Sequence, residues 1–297
     1  MLRYPRWQPY NDDTTLEKQY ANLLTAANCP DLACLRNLSS PALATAQQLS
    51  FSTAYTATPP LYGYGDYFYG PSVDGHYIRD LPSNEFKQGH FVSVPLLTDR
   101  EGYEGYVFSN TSMENGTAAL LADLANVWPS ATPSFFARLL ELYPASEFNS
   151  TFWQRVQIFG DAFIDCPTYY VASALADAGM PVYKMIFDAG SQVHTATQPF
   201  LYSISANGST TANNATLAAW MKDWFVNFAV AEDPNAISFL RNASGSNPKP
   251  FWPTYLKKDE QGFQVMDVNY TMVGVTEDFD ASARCDFFHA ESYVVRN

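Results

Sequence analysis

The feature that most constrains this chain is a run of strand length without polar alternation, VYKMIFDAG at positions 182–190. A strand with one face in water alternates apolar and polar side chains, because successive side chains point to opposite faces. This run has apolar residues on both faces and is closed by Gly190. It therefore predicts a central parallel strand, which helices must cover on both sides.

Helices of the required kind are abundant in the rest of the sequence. Apolar residues recur at helical spacing, with Pro or Gly near several of the ends. The predicted helices span 15–28, 40–49, 115–129, 134–144, 151–165, 166–180 and 214–234. A second strand is predicted at 90–98, HFVSVPLLT. Strands among many helices indicate an α/β fold, with too few strong strands for a complete large sheet.

Charge and composition exclude several classes of function. The 297-residue chain has a net charge of −13 and a pI of about 4.6, so it lacks the basic surface that binds nucleic acid. No apolar stretch reaches the roughly 18 residues of a membrane span. Polar sequence follows the first residues, from Met1 to Arg6, so no secretion signal is expected there. No nucleotide or metal motif is present, and neither a cofactor nor a metal is expected.

Sequons and cysteines point to an oxidising compartment. Eight Asn-x-Ser/Thr sequons suit a secreted glycoprotein, although a chain rich in Ser, Thr and Asn also yields several by chance. They lie at Asn37, Asn110, Asn115, Asn149, Asn207, Asn214, Asn242 and Asn269. Cys29 and Cys34 could close a small loop. Cys166 and Cys285 are either buried thiols or a second pair, and the sequence does not choose.

Two side chains are the candidate catalytic groups. His194 lies in a loop after the buried strand, where open α/β sheets place their sites. It could act as a general base, or it could be an ordinary loop histidine. Glu104 follows the second strand beside Gly105, which lets the chain bend. Its carboxylate could orient a histidine by accepting the Nδ1 proton, although Glu101 or Glu104 could instead cap a short helix.

Seven segments, taken in order, resemble the type-B carboxylesterase/lipase family, especially its secreted fungal members. They are NCPDLACLRN at 28–37, YGPSVDGHYIRDLP at 69–82, VPLLTDREGYEGYVF at 94–108, FGDAFIDCP at 159–167, AGSQVHTATQPFLY at 189–202, WPTY at 252–255 and RCDFF at 284–288. The resemblance is collinear over nearly the whole chain. It corresponds to the C-terminal part of the family's domain.

The resemblance implies an α/β-hydrolase fold, with residues 1–297 as the C-terminal part of a single domain. That part is an incomplete, mixed and mostly parallel sheet with flanking helices. The resemblance also implies that Glu104 is the acid and His194 the histidine of a Ser-His-acid triad, and that Cys29 and Cys34 form a disulfide. Four residues depart from the family pattern. The family usually has Gly where Asp99 stands and an acidic residue where Tyr103 stands. It commonly has Gly where Thr195 stands and an acidic residue where Thr197 stands.

The nucleophile of such a triad is not found. The family's Gly-x-Ser-x-Gly elbow and oxyanion-hole loop have no counterpart here. The one Gly-x-Ser contains Pro71, within a turn that requires an ordinary residue, and has Asp74 in place of the second Gly. Ser72 is therefore rejected, and Ser191 is too near His194 in sequence to be its partner.

We therefore expect part of a secreted carboxylic-ester hydrolase, a serine esterase or lipase, that is inactive alone. A His and a Glu can move a proton, but nothing attacks the ester carbonyl and no donors hold the oxyanion. The alternatives are a non-catalytic hydrolase-like binding protein and a truncated product or gene model of a secreted serine esterase. The expected partner is a small-molecule or lipid ester, if the other half is present. The Tyr-rich stretch at 62–70 lines an aromatic pocket or is a packed loop.

Overall fold

A computed structural model describes residues 1–54, 69–202, 214–238, 248–258 and 261–297. Six strands within these residues form one sheet: β1 (Leu2–Arg3), β2 (Leu96–Glu101), β3 (Val182–Phe187), β4 (Lys257–Lys258), β5 (Gln261–Val268) and β6 (Val273–Glu277). Strands β1, β2, β3 and β5 are parallel neighbours in that order, whereas β4 and β6 pair antiparallel with β5. The predicted α/β class, with a mixed and mostly parallel sheet, is confirmed.

Helices flank the sheet on both sides. They are α1 (Asp13–Ala27), α2 (Leu32–Arg36), α3 (Ser40–Ala54), α4 (Pro82–Lys87), α5 (Thr117–Val127), α6 (Pro133–Leu142), α7 (Thr151–Gly160), α8 (Cys166–Asp177), α9 (Gln198–Leu201), α10 (Ala215–Ala231), α11 (Ala283–Ala290) and α12 (Ser292–Val295). Each predicted helix is present, with ends shifted by a few residues. A π-helical turn, Asp161–Asp165, joins α7 to α8. None of the described helices is both long and apolar enough to cross a bilayer.

Strands β2 and β3 form the centre of the protein. All six residues of each strand are buried, and the strands pair in register from Leu96–Val182 to Glu101–Phe187. One face of the sheet packs against α5, α6, α7, α8 and α11. The other face packs against α9 and α10. The run at 182–190 is thus the doubly covered parallel strand that its composition predicted.

Strand β2 differs from its prediction at both ends. It begins at Leu96, not at His90, and it continues through Asp99, Arg100 and Glu101. Three consecutive charged residues normally mark the end of a buried strand. These three are buried because other parts of the chain pair with them. The partners are Arg3 for Asp99, Asp280 for Arg100 and Thr197 for Glu101.

Two buried cations tie the end of the chain to the central strands. Arg100 of β2 donates to both oxygens of Asp280, at 2.8 and 2.5 Å. Lys184 of β3 donates to Asp278 and Asp280, each at 2.6 Å, and Tyr255 donates to Asp278 at 2.6 Å. Asp278 and Asp280 lie between β6 and α11. The cluster therefore fixes that connection against the sheet.

We expect Lys184→Met to lower the free energy of unfolding by about 3–5 kcal/mol, because it leaves the buried Asp278 without a cation and leaves Asp280 with Arg100 alone. The matched control is Arg138→Met, which removes one side of the exposed Arg138–Glu141 pair on α6 and should cost at most about 1 kcal/mol. Urea titration measures both. Equal losses in the two variants would contradict the assignment of a stabilising role to the buried cluster.

Both cysteine pairs are disulfides. Cys29 and Cys34, which the family resemblance implied as a pair, bridge the end of α1 to α2. Cys166 and Cys285, which the sequence left undecided, join the start of α8 to α11 across a sequence separation of 119 residues. The second bond therefore holds the C-terminal helices to the core.

The chain-entropy model predicts a larger loss for the longer loop. Replacing Cys166 and Cys285 together by Ala should lower the free energy of unfolding by about 5 kcal/mol, and replacing Cys29 and Cys34 should lower it by about 2 kcal/mol. Urea titration of the two double variants measures the difference. A larger loss for the Cys29–Cys34 pair would contradict the prediction.

Candidate active site

The loops after β2 and β3 carry Glu104 and His194 to the same edge of the sheet. Backbone hydrogen bonds join the two loops: Gly102 donates to Phe187 at 3.1 Å, and Tyr103 donates to Gln192 at 2.7 Å. A further parallel bridge pairs Tyr103 with Val193. The loops thus extend the β2–β3 pairing beyond the strands, and this places the two side chains together.

Gly105 allows the Glu104 turn to pack against helix α7. A Cβ at position 105 would lie 2.0 Å from the carbonyl oxygen of Val156 and 2.9 Å from the nitrogen of Gly160. A side chain cannot occupy that space, because the obstacles are backbone atoms. The close approach, rather than an unusual backbone conformation, explains the Gly that follows Glu104.

His194 and Glu104 form a short hydrogen bond. Nδ1 of His194 lies 2.5 Å from Oε2 of Glu104, and Oε1 of Glu104 accepts the backbone N–H of Glu101 at 2.7 Å. The rings of Tyr4 and Phe108 lie 4.5 and 5.1 Å from the His194 ring. The His194 side chain is 18% exposed, whereas that of Glu104 is fully buried. The structure therefore brings together the two predicted residues and leaves part of the imidazole accessible.

Burial shifts the pKa of Glu104 and the pKa of His194 in opposite directions. It raises the pKa of Glu104 to about 7, against hydrogen bonds from Glu101 that lower it. Burial also lowers the pKa of His194 below its ordinary value. Above about pH 7 the pair therefore consists of a carboxylate and a neutral imidazole. With its proton on Nδ1, facing the carboxylate, the imidazole has Nε2 free to accept another proton.

Glu101 does not cap a helix, as one alternative had suggested. It ends β2, and its Oε1 accepts hydrogen bonds from the Thr197 hydroxyl at 2.6 Å and from the Thr197 backbone N–H at 3.2 Å. Arg3 donates to the same Thr197 hydroxyl and contacts Asp99 at 3.3 Å. Burial and the neighbouring Glu104 raise the pKa of Glu101 to about 9. The sequence did not predict that Glu101 belongs to the site, although Asp99 and Thr197 were both noted as departures from the family pattern.

The loop that carries His194 contains two strained residues. Gln192 has φ of 58° and Thr195 has φ of 75°, in the left-handed region that disfavours side chains and β-branched ones above all. The family commonly has Gly at position 195. Contacts around the loop must hold this conformation, because strained residues persist only where their surroundings fix them.

Glu101, Glu104 and His194 are the one group of possible metal ligands found among the described residues. Their ligand atoms all lie within 4.8 Å of one another. The 2.5 Å contact between His194 and Glu104 is a hydrogen bond, and it uses the nitrogen that faces the carboxylates. We assign no metal ligand here.

The remaining predicted residues lie away from this pair or outside the described part of the chain. Ser72 is in an irregular loop in which Asp74 accepts the backbone N–H groups of residues 76–78. Ser191 is an exposed loop residue. Asn37, Asn115 and Asn149 are exposed, while Asn110, Asn214 and Asn269 are partly buried. Asn207, Asn242 and most of the Tyr-rich stretch lie outside the described residues.

Comparison with known proteins gives the family and the fold. The sequence model described as Carboxylesterase family matches residues 11–288. A secreted lipase of Arthroderma benhamiae is 27% identical over 188 residues, which is 58% of this chain and 32% of the relative. Carboxylesterase patB of Aspergillus clavatus is 24% identical over 293 residues, which is 96% of this chain and 48% of the relative. The chain spans about half or less of the length of these relatives.

The crystal structure of EstA from Aspergillus niger superposes with a TM-score of 0.79 at 19% identity, over 99% of this chain and 58% of that one. This match confirms the α/β-hydrolase fold that the resemblance implied. The family match covers nearly the whole chain, and the fungal relatives agree with it. The chain belongs to the carboxylesterase family.

Proposed function

We propose that residues 1–297 are the C-terminal part of one serine carboxylesterase domain. In this proposal Glu104 orients His194, and His194 is the general base for a serine outside this sequence. The observation that carries it is the 2.5 Å contact between His194 Nδ1 and Glu104 Oε2 at the carboxyl ends of two parallel strands. A binding protein has no need of this buried pair.

Each group has a defined part in ester hydrolysis. Glu104 accepts the Nδ1 proton, which holds the ring orientation and stabilises the imidazolium that forms. His194 Nε2 takes the serine proton while the serine oxygen attacks the ester carbonyl. The same nitrogen then gives that proton to the leaving alcohol. Water repeats the two steps on the acyl-enzyme, which releases the carboxylic acid and regenerates the serine.

The sheet indicates where the serine would come from. Among the described strands, β1 pairs with β2 alone, and Tyr4, which follows β1, contacts the His194 ring. Leu2 is 46% exposed at this edge. A further parallel strand beside β1 would end at the same edge as the two loops, where α/β sheets place their catalytic groups. This chain covers 32% and 48% of the two fungal relatives, so each relative has further residues from which such a strand can form.

We further propose secretion, with carboxylic esters as the substrate class. The two disulfides suit an oxidising compartment, and Asn37, Asn115 and Asn149 are accessible for glycosylation. One fungal relative is named as a secreted lipase and another as a carboxylesterase. These names supply the ester class but select no particular ester.

The 297-residue chain should hydrolyse p-nitrophenyl butyrate no faster than its His194→Ala variant, because the attacking serine and the oxyanion donors lie outside it. The control is His90→Ala, which alters a surface histidine near Glu85. Hydrolysis that is lost in His194→Ala and kept in His90→Ala would overturn the proposed inactivity of this chain.

The DNA upstream of the Met1 codon and the 5′ end of the transcript test the missing serine. The proposal expects an in-frame extension that carries Gly-x-Ser-x-Gly. In that longer protein His194→Ala should lower kcat/KM by about a thousandfold or more, while His90→Ala should not. A transcript that starts at Met1 without such an extension would leave the esterase as ancestry and favour the non-catalytic binding protein.

The longer protein should gain activity as the pH rises through about 7. The pKa of Glu104 is raised to about 7, so its carboxylate is lost on acidification below that pH. The lowered pKa of His194 keeps the imidazole neutral over the same range. Values of kcat/KM from about pH 5 to about pH 9 locate the acid limb. A profile that is already flat below about pH 6 would contradict this assignment.

A further inference from the structure

We propose that Glu101 is a positioning residue that stays a neutral carboxylic acid and donates its proton to Glu104, which keeps Glu104 charged and oriented toward His194. This inference rests on the proposed function of Glu104 and His194. It assigns a role to a residue that the family resemblance did not place in the triad. It also explains why this chain buries two glutamates three residues apart.

The two oxygens of Glu101 are in different environments. Oε1 accepts two hydrogen bonds from Thr197, one from the hydroxyl and one from the backbone N–H. Arg3 donates to the Thr197 hydroxyl oxygen, so the hydroxyl hydrogen is directed to Glu101. Oε2 is buried and receives no hydrogen bond from any described donor. This pattern fits a carbonyl oxygen at Oε1 and a hydroxyl group at Oε2.

The closeness of Glu101 and Glu104 requires a proton. Each side chain is buried and has a carboxyl oxygen within 4.8 Å of a carboxyl oxygen of the other. Ionised carboxylates are acceptors only, so two of them cannot form a hydrogen bond. Two buried carboxylates this close also cannot both be charged without a large electrostatic cost. One of the pair must hold the proton.

The proton belongs on Glu101, because hydrogen-bond donors reach both oxygens of Glu104 but only Oε1 of Glu101. Glu104 accepts the Glu101 backbone N–H and faces the His194 Nδ1 proton. Hydrogen bonds to a carboxylate favour its charged form. A hydroxyl group at Glu101 Oε2 adds a third donor to Glu104, on oxygens that have lone pairs to accept it. The arrangement offsets the burial that would otherwise neutralise the triad acid.

The surrounding charges do not ionise Glu101. The charged and titratable groups around the three residues are Arg3, Tyr4, Arg6, Asp99, Arg100 and Asp165. Arg3 contacts Asp99 at 3.3 Å and lies farther from Glu101, with Nη2 3.8 Å from Oε1. Arg100 pairs with Asp280 at 2.5 Å. Each cation therefore has another carboxylate as its nearer partner.

The first test is a carboxyl titration of the unaltered chain. Glutamate labelled with ¹³C at the side-chain carboxyl is followed by NMR, and Glu101→Gln identifies the Glu101 signal. The expected result is a Glu101 signal that stays at the acid position to at least about pH 7 and moves above it. A signal that titrates near the ordinary glutamate value of about 4.3 would overturn the proposal.

The second test separates this role from that of Glu104. Gln at position 101 keeps an oxygen for Thr197 and an N–H donor for Glu104, so the His194 pKa in Glu101→Gln should stay within about 0.3 pH units of the unaltered chain. A fall of about one pH unit or more would mean that Glu101 is charged, and would overturn the proposal.

Glu104→Gln is the matched variant, and it should lower the His194 pKa by about one pH unit or more, since it removes the charge beside the imidazole. An unchanged His194 pKa in the Glu104→Gln variant would remove the basis of the proposed function. The carboxyl titration of Glu101 would still decide where the shared proton lies. The two failures are therefore distinguishable.

Discussion

The parallel pairing of β2 and β3 is the constraint on which the rest of the structure depends. The pairing is in register over all six residues of each strand and continues into the loops through the Tyr103–Val193 bridge. Parallel strands end at one edge of a sheet, so the residues that follow them must meet there. A one-residue slip would turn every side chain of β2 to the other face. The Glu104–His194 contact therefore depends on strand register more than on the loops alone.

The period of two along β2 separates two systems of buried charge. Asp99 and Glu101 belong to one face of the strand, where Arg3 and Thr197 meet them. Arg100 belongs to the other face, where Asp280 meets it together with Lys184. The second system ties the C-terminal connection to the sheet, and the first adjoins Glu104. Because successive side chains point to opposite faces, one short charged segment serves structure on one side and the candidate site on the other.

The sequence predicted what depends on local pattern. The continuous apolar composition of 182–187 indicated a doubly covered strand, and helical periodicity located each long helix. The extension of β2 through Asp99, Arg100 and Glu101 could not be predicted, because their partners lie up to 180 residues away in sequence. The hairpin of β5 and β6 was missed for a related reason: Asn269 accepts the backbone N–H groups of residues 271 and 272 in its turn, and short alternating segments around such a turn give a weak signal.

For the site, Glu104 and His194 came from motif order, whereas Glu101 required the fold. The unused signal was the set of departures from the family pattern. Thr197 contacts Glu101, Arg3 contacts both Asp99 and Thr197, and these residues come from three different segments of the chain. The departures at Asp99 and Thr197 are related, because the same Arg3 side chain contacts both residues. A second buried carboxyl group beside Glu104 is tolerable only if one of the two keeps a proton. Thr197, to which Arg3 donates, occupies one oxygen of Glu101 and leaves the other without a donor among the described residues. Two of the four departures, Asp99 and Thr197, are thus connected through Arg3 beside Glu104 and His194.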